Sequence, residues 1–143
     1  MLKNVSPLIS PQLLKVLCEM GHGDEIVLAD ANFPAESIAQ NNQIIRADGL
    51  GIVDLLNAIL PLFPLDPYTD KSFIVMSVEE RDGDYVPEIW SEFEQVLEKH
   101  EPDFKMTFMS RFDYYEHSKK AYAVIATGEK ATYANVILKK GVI

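Results

Sequence analysis

A chain of 143 residues can bury one full hydrophobic core, so a single domain spanning residues 1–143 is expected. Its formal net charge of −9, from 13 basic against 22 acidic side chains, argues against nucleic acid and against anionic membrane surfaces, since both need cationic contacts. No apolar run approaches the ~20 residues that cross a bilayer, no charged segment followed by an apolar core marks a signal peptide, and the single cysteine, Cys18, suits a reducing cytoplasm.

Ser10-Pro11 opens a first helix, with serine as N-cap and proline at the first helical position. Leu13, Leu14, Leu17 and Met20 supply its apolar face and Gly21 ends it. Cys18 within it reads as a buried structural thiol rather than a nucleophile. A short strand over about Glu25 to Ala29 carries an Ile-Val-Leu run expected to be buried on both faces. Asp30-Ala31-Asn32-Phe33-Pro34 reads as a loop, because proline and its predecessor resist helix. A second strand falls around Gln43 to Ala47. Asp48 is placed to cap a helix containing Leu50, Val53, Leu56 (or Leu55) and Leu60, which Pro61 and Pro64 stop.

Ser72 to Val78 is the clearest strand, followed by a charged turn from Glu79 to Asp84. Pro87 then leads the strongest helical stripe: Ile89, Trp90, Phe93, Val96 and Leu97. Beyond Pro102 come a strand at Met106 to Met109, a helix from about Phe112 to Lys119 with Ser110 at its start, a strand over Ala121 to Thr127 and a last one over Asn135 to Lys139. Strands alternating with helices predict an α/β protein, a layered α/β/α fold around a mostly parallel or mixed sheet. The C-terminus stays apolar to Ile143, and termini fray unless tied down, so this segment is expected either in the sheet or against a neighbouring subunit.

Of the three histidines, His100 suits the C-terminal end of its helix and His117 reads as solvated. His22 differs, because Gly21 and Gly23 flank it between a helix end and a strand start. The glycines allow either a sharp turn alone or close approach of a ligand to the imidazole. Asp30, at the carboxyl end of the first strand, is either a site residue or a helix cap. Arg111 is either a surface charge or a fork of donors for hydroxyls. No zinc spacing, calcium loop, hydrolase elbow or phosphate- or dinucleotide-binding fingerprint is present, so no metal and no cofactor is expected. His, Asp, Arg and Tyr can move protons and bind hydroxyls, but they cannot perform redox chemistry unaided.

Several segments resemble a known family. Leu2-Lys3-Asn4-Val5-Ser6-Pro7-Leu8-Ile9-Ser10-Pro11, Glu19-Met20-Gly21-His22-Gly23-Asp24-Glu25-Ile26, Ile45-Arg46-Ala47-Asp48-Gly49-Leu50, Arg111-Phe112, Thr127-Gly128-Glu129, Tyr133-Ala134-Asn135 and Leu138-Lys139-Lys140-Gly141-Val142 are similar, in order and spacing, to the L-fucose mutarotase and D-ribose pyranase family. The fucose branch is the closer. The resemblance implies that His22 is the catalytic acid and that Asp30, Arg111 and Tyr133-Ala134-Asn135 line a pocket for a monosaccharide, L-fucose first. It also implies a homo-oligomer, a ring-shaped decamer with pockets near subunit boundaries. Two departures stand out: Asn32 occupies a position often held by histidine, and Ala134 one usually held by glycine.

The implied reaction opens a pyranose by protonating its ring oxygen and removing the anomeric proton, then recloses it on the other face. A group with an unperturbed pKa near 6.5, such as histidine, contributes typically ~10²–10⁴-fold by such proton transfer. A non-catalytic sugar-binding accessory protein needs the same hydroxyl contacts without the proton relay. An aldose–ketose isomerase commonly uses a metal, and the chain has no ligand cluster for one.

Overall fold

Side chains alternate across the strands, and here that alternation divides the interior into two apolar layers. The computed structural model describes residues 1–143. Its helices are α1 (Pro11–Glu19), α2 (Ala35–Ile38), α3 (Ile52–Ile59), α4 (Ile89–His100) and α5 (Arg111–Ser118). Its strands are β1 (Glu25–Ala29), β2 (Gln43–Ala47), β3 (Phe73–Met76), β4 (Thr107–Met109), β5 (Ala123–Thr127) and β6 (Val136–Lys139). Ile26, Leu28, Phe73, Val75, Ala123, Ile125, Val136 and Leu138 face one side, where α1, α3 and α4 pack. Val27, Ala29, Ile74, Met76, Val124, Ala126 and Ile137 face the other, beneath α2 and α5. Each fully buried Leu or Ile contributes about 1.5–3 kcal/mol by removal from water.

The result is an α/β/α sandwich around a mixed six-stranded sheet of order β2-β5-β1-β6-β3-β4. Five strands run parallel, and only β6 is reversed, inserted between β1 and β3. The C-terminal segment therefore pairs in the sheet as its centre. Val142 and Ile143 beyond it are exposed. No helix is long and apolar enough to cross a membrane.

Local expectations differ from the structure at several points, each for a physical reason. Ser10 Oγ accepts from the Leu13 amide as a cap should. Asp48, in contrast, does not cap α3. Its carboxylate pairs with Arg46, the helix starts after Gly51, and the Ile52 amide is satisfied by Glu129 Oε2 at 3.2 Å from 77 residues away. Cys18 is exposed rather than buried, because the core-facing positions of α1 are Leu13, Val16 and Leu17 and the helical period turns residue 18 outward. The predicted loop at 30–34 is followed by the short α2, which had no periodic signal. His117 is not simply solvated: its Nε2 lies 2.5 Å from Glu25 Oε2, tying α5 to the start of β1. His100 takes Asn57 Oδ1 as partner at 3.0 Å, and burial, with Lys99 beside it, pushes its pKa below the ordinary value, which disfavours the charged form expected at a helix end.

Candidate active site

Because β6 alone is reversed, the residues just before it emerge at the carboxyl ends of the other five strands. Asp30 follows β1, Glu79 lies three residues beyond β3, Arg111 opens α5 after β4, and Tyr133 and Asn135 precede β6. They converge on a cavity of about 480 Å³, also lined by Asn32, Phe33, Met76 and Tyr115. Ligands of open α/β sheets bind at this end.

Asp30 and Asn135 form the cavity's most tightly built pair. The Asp30 amide donates to Asn135 Oδ1 and Asn135 Nδ2 donates to Asp30 Oδ2, both at 2.8 Å, while the Asn32 amide donates to Asp30 Oδ1 at 2.9 Å. These contacts use the Asp30 side chain as a turn acceptor, not as a cap, since α2 has no side-chain cap. Burial raises the Asp30 pKa above its ordinary value, against the opposing effect of the Asn32 amide and the Asn135 side chain. A buried carboxylate at a cavity wall, with both oxygens fixed, is a strong acceptor for hydroxyl donors.

Arg111 supplies donors. Its Nε lies 2.5 Å from Glu79 Oε1, an ion pair without the alignment of a hydrogen bond, and its terminal nitrogens make no hydrogen bond within the chain. Those nitrogens are what remains for a ligand. Glu79 also approaches Arg81, with Oε2 3.4 Å from its Nε. Replacing Glu79 with glutamine should free Arg111 to swing and weaken binding of the cavity's ligand a few-fold, since solvent-accessible pairs are worth about 0.2–1 kcal/mol. Titration calorimetry checks this, and an unchanged affinity would remove Glu79 from any role in holding Arg111.

Tyr133 sits at φ +56°, in the left-handed region that costs a non-glycine residue of order 1–3 kcal/mol. The fold holds it there through Trp90 Nε1, which donates to its carbonyl at 2.9 Å, and through its own hydroxyl, which donates to Asp82 Oδ2 and accepts from the Glu79 amide at 3.4 Å. The bond to Asp82, followed by burial, raises the Tyr133 pKa, so its proton is held. Tyr115 differs. Its hydroxyl has no hydrogen-bond partner in the chain, and burial, only partly offset by Arg111, raises its pKa.

His22 lies elsewhere in the subunit. It precedes β1 while Asp30 follows it, so five residues at ~3.3 Å each put the two about 17 Å apart at opposite ends of the strand. The adjacent Gly23 has φ +85°, a value its lack of a side chain permits. The half-exposed imidazole, 48% accessible, stands with Nε2 3.2 Å from Oδ1 of the buried Asp66, and its ring meets that of Tyr68 at 5.6 Å between centroids. Burial alone would raise the Asp66 pKa. The Tyr68 amide and His22 overcome it and hold the carboxyl below its ordinary value. The imidazole is thus backed by a carboxylate held in its ionised form and open to solvent on its other side.

Among the residues singled out from sequence, Asp30, Arg111, Tyr133 and Asn135 are brought to one cavity, with Asn32 beside them, and His22 is not. Ala134 is fully buried in the core and does not line the cavity: between two cavity residues the alternating chain turns it inward. Sequence reasoning missed Glu79, Tyr115 and Asp66. The first belonged to what read as a solvated turn, and the other two carried no local motif. Tyr115 could have been suspected only from its place one helical turn after Arg111.

The fold and cavity define a class: an α/β protein with a polar, hydroxyl-binding pocket and a separate imidazole–carboxylate pair. The chain belongs to the RbsD / FucU transport protein family, which matches residues 3–143. It is similar to the fucose mutarotase of Streptococcus pneumoniae, solved in complex with L-fucose, at 53% identity over 99% of both chains with a TM-score of 0.91. It is also similar to FucU from Bifidobacterium longum, at 48% identity over 99% of both chains and a TM-score of 0.94. The likeness extends to Bacillus subtilis RbsD complexed with D-ribose, at 26% identity, 100% of this chain and 99% of that one, and a TM-score of 0.73.

Proposed function

We propose that this protein is a cofactor-independent sugar mutarotase that interconverts the α and β anomers of L-fucose. The observation that carries the reading is the Asp30–Asn135 pair set beside the free Arg111 nitrogens in one cavity, in a chain 53% identical end to end to a mutarotase solved with that sugar. Asp30 accepts from sugar hydroxyls, while Arg111 and Asn135 donate to their oxygens. Phe33, Met76 and Tyr115 offer apolar surface to a sugar face.

Because His22 stands at the far end of β1, a neighbouring copy supplies it, and a closed ring, a homodecamer, repeats that contact around the assembly. Exposed Val142 and Ile143, just beyond the strand that flanks the His22 loop, give the neighbour an apolar surface to cover. Protonated His22, steadied by Asp66, gives its proton to the ring oxygen as the C1–O bond breaks. The anomeric hydroxyl loses its proton as the C1 carbonyl forms. Tyr115 relays that proton, accepting it while passing its own to water, so it need never ionise. After rotation about C1–C2 the flow reverses and the ring closes on the other face. The single cysteine and absence of disulfides suit work in the cytoplasm.

The experiment is saturation-transfer NMR on L-fucose, with D-ribose as comparator: exchange between anomer signals should quicken with added protein. A protein that binds the sugar without quickening exchange would be the accessory binder instead. The cavity's acidic and basic side chains are the carboxylates of Asp30, Glu79 and Asp82 and the guanidiniums of Arg81 and Arg111, a balance on the acidic side. L-fucose 1-phosphate should therefore bind about 5- to 30-fold more weakly than L-fucose, one to two kcal/mol for an added uncompensated charge. Titration calorimetry with both sugars decides it, and equal affinity would contradict this charge assignment.

A further inference from the structure

The imidazole of His22 has Asp66 as its one hydrogen-bonding partner in the chain, and each belongs to a loop. A half-exposed side chain with one partner is aligned only as well as the two backbones beneath it. Three consecutive residues at the end of β6 bind the two backbones between them. Lys140 grips the His22 loop on both sides of the imidazole. Its Nζ donates to the carbonyls of Leu17 at 2.8 Å and Met20 at 2.6 Å, its amide donates to Asp24 O at 2.8 Å, and its carbonyl accepts from the Gly23 amide at 2.8 Å. The carbonyls of Leu17 and Met20 are end groups of α1 that would otherwise lack partners. On the other flank, Lys139 O accepts from the Asp66 amide at 3.1 Å and the Gly141 amide donates to Pro64 O at 2.8 Å. Gly141 passes so close to this second loop that a Cβ there would lie 2.3 Å from Leu65 O.

We propose that Lys140 and Gly141 are positioning residues for the His22–Asp66 pair: the end of β6 is the template that sets the register between imidazole and carboxylate. The inference rests on the reading of His22 as the proton donor. Neither residue lines the cavity, so their effect falls on turnover and not on binding. A misplacement of about 1 Å in a reacting group can cost on the order of 10²-fold.

The test uses the full-length assembled protein and L-fucose anomer exchange. Lys140→Met, which keeps the chain length and removes the ammonium, and Gly141→Ala, which forces the loops apart, should each lower kcat about 10- to 100-fold while KM stays within about twofold. Lys140→Arg, which can still donate to two carbonyls, should recover most of the loss. The same substitutions made in an Asp66→Ala protein should cost no more than about twofold, because no aligned pair is left to disturb. A Lys140→Met protein with wild-type kcat, or an equal loss in both backgrounds, overturns the proposal. Loss of the folded assembly in both variants, read by native mass, would make the template a fold element only and overturn it too. His22→Ala separates the two levels: if it retains exchange, the proton-donor reading fails, and if it is inactive while Lys140→Met is normal, only the template fails.

Discussion

Replacing His22 with alanine should slow protein-accelerated anomer exchange by about 10²–10⁴-fold, the contribution of a positioned proton donor. The imidazole is 48% accessible in the single chain and outside both apolar cores, so its removal opens no cavity in the subunit and the assembly should keep its mass. Sugar affinity should change little, since Asp30, Arg111 and Asn135 stay in place. Because donor and cavity lie at opposite ends of β1, mixing supplies a stricter check. At sugar concentrations too low to fill the asparagine cavity, ring assemblies mixed from His22→Ala and Asp30→Asn subunits should exceed the activity of either variant alone, as some interfaces then pair an intact imidazole with an intact cavity. Absence of any excess, with mixed rings confirmed by mass, would refute donation across a subunit boundary.

Asp30→Asn should weaken L-fucose binding about 10- to 150-fold, because a hydrogen bond to a charged group contributes about 1.5–3 kcal/mol. Its effect on stability should run the other way. Burial raises the Asp30 pKa above 3.8, so the folded protein holds that proton more tightly than the unfolded chain does. The favourable contribution of such a group is fully present below 3.8 and is lost as pH rises through the folded value. At neutral pH the ionised, buried carboxylate therefore costs stability. The asparagine variant should melt no lower than the parent at pH 7, and the two should converge as the pH falls below the carboxyl range. Calorimetric binding together with melting across pH measures both halves, and a variant that melts well below the parent at pH 7 contradicts the assignment of burial as the dominant influence.

These two outcomes bear on different stretches of chain. The Gly21-His22-Gly23 turn was visible in sequence because glycine on both sides of a histidine is a local signal, and Asp30 because it ends an apolar strand. The α/β/α layering was equally legible, since alternating periods of two and 3.6 are properties of short windows. Asn135 and Tyr133 were reachable only through family resemblance. Their importance comes from β6 running backwards, which no window of residues around them records. Cys18 and Asp48 were misread for a related reason. Propensity places a cysteine inside and an aspartate at a cap, yet helix phase turned the first outward and Arg46 claimed the second.

What the amino-acid order determined alone was therefore the set of elements, the acidic charge balance, and the residues carrying strong local signals. Tertiary structure alone decided which of them meet. Asp30 and Asn135 are bonded across 105 positions, Ile52 is capped by Glu129 across 77, and His22 finds Asp66 across 44 while parting from Asp30 only eight residues away. Strand direction and sheet order set those distances. They follow from the summed burial of two apolar layers, a long-range quantity to which each residue contributes and which none specifies.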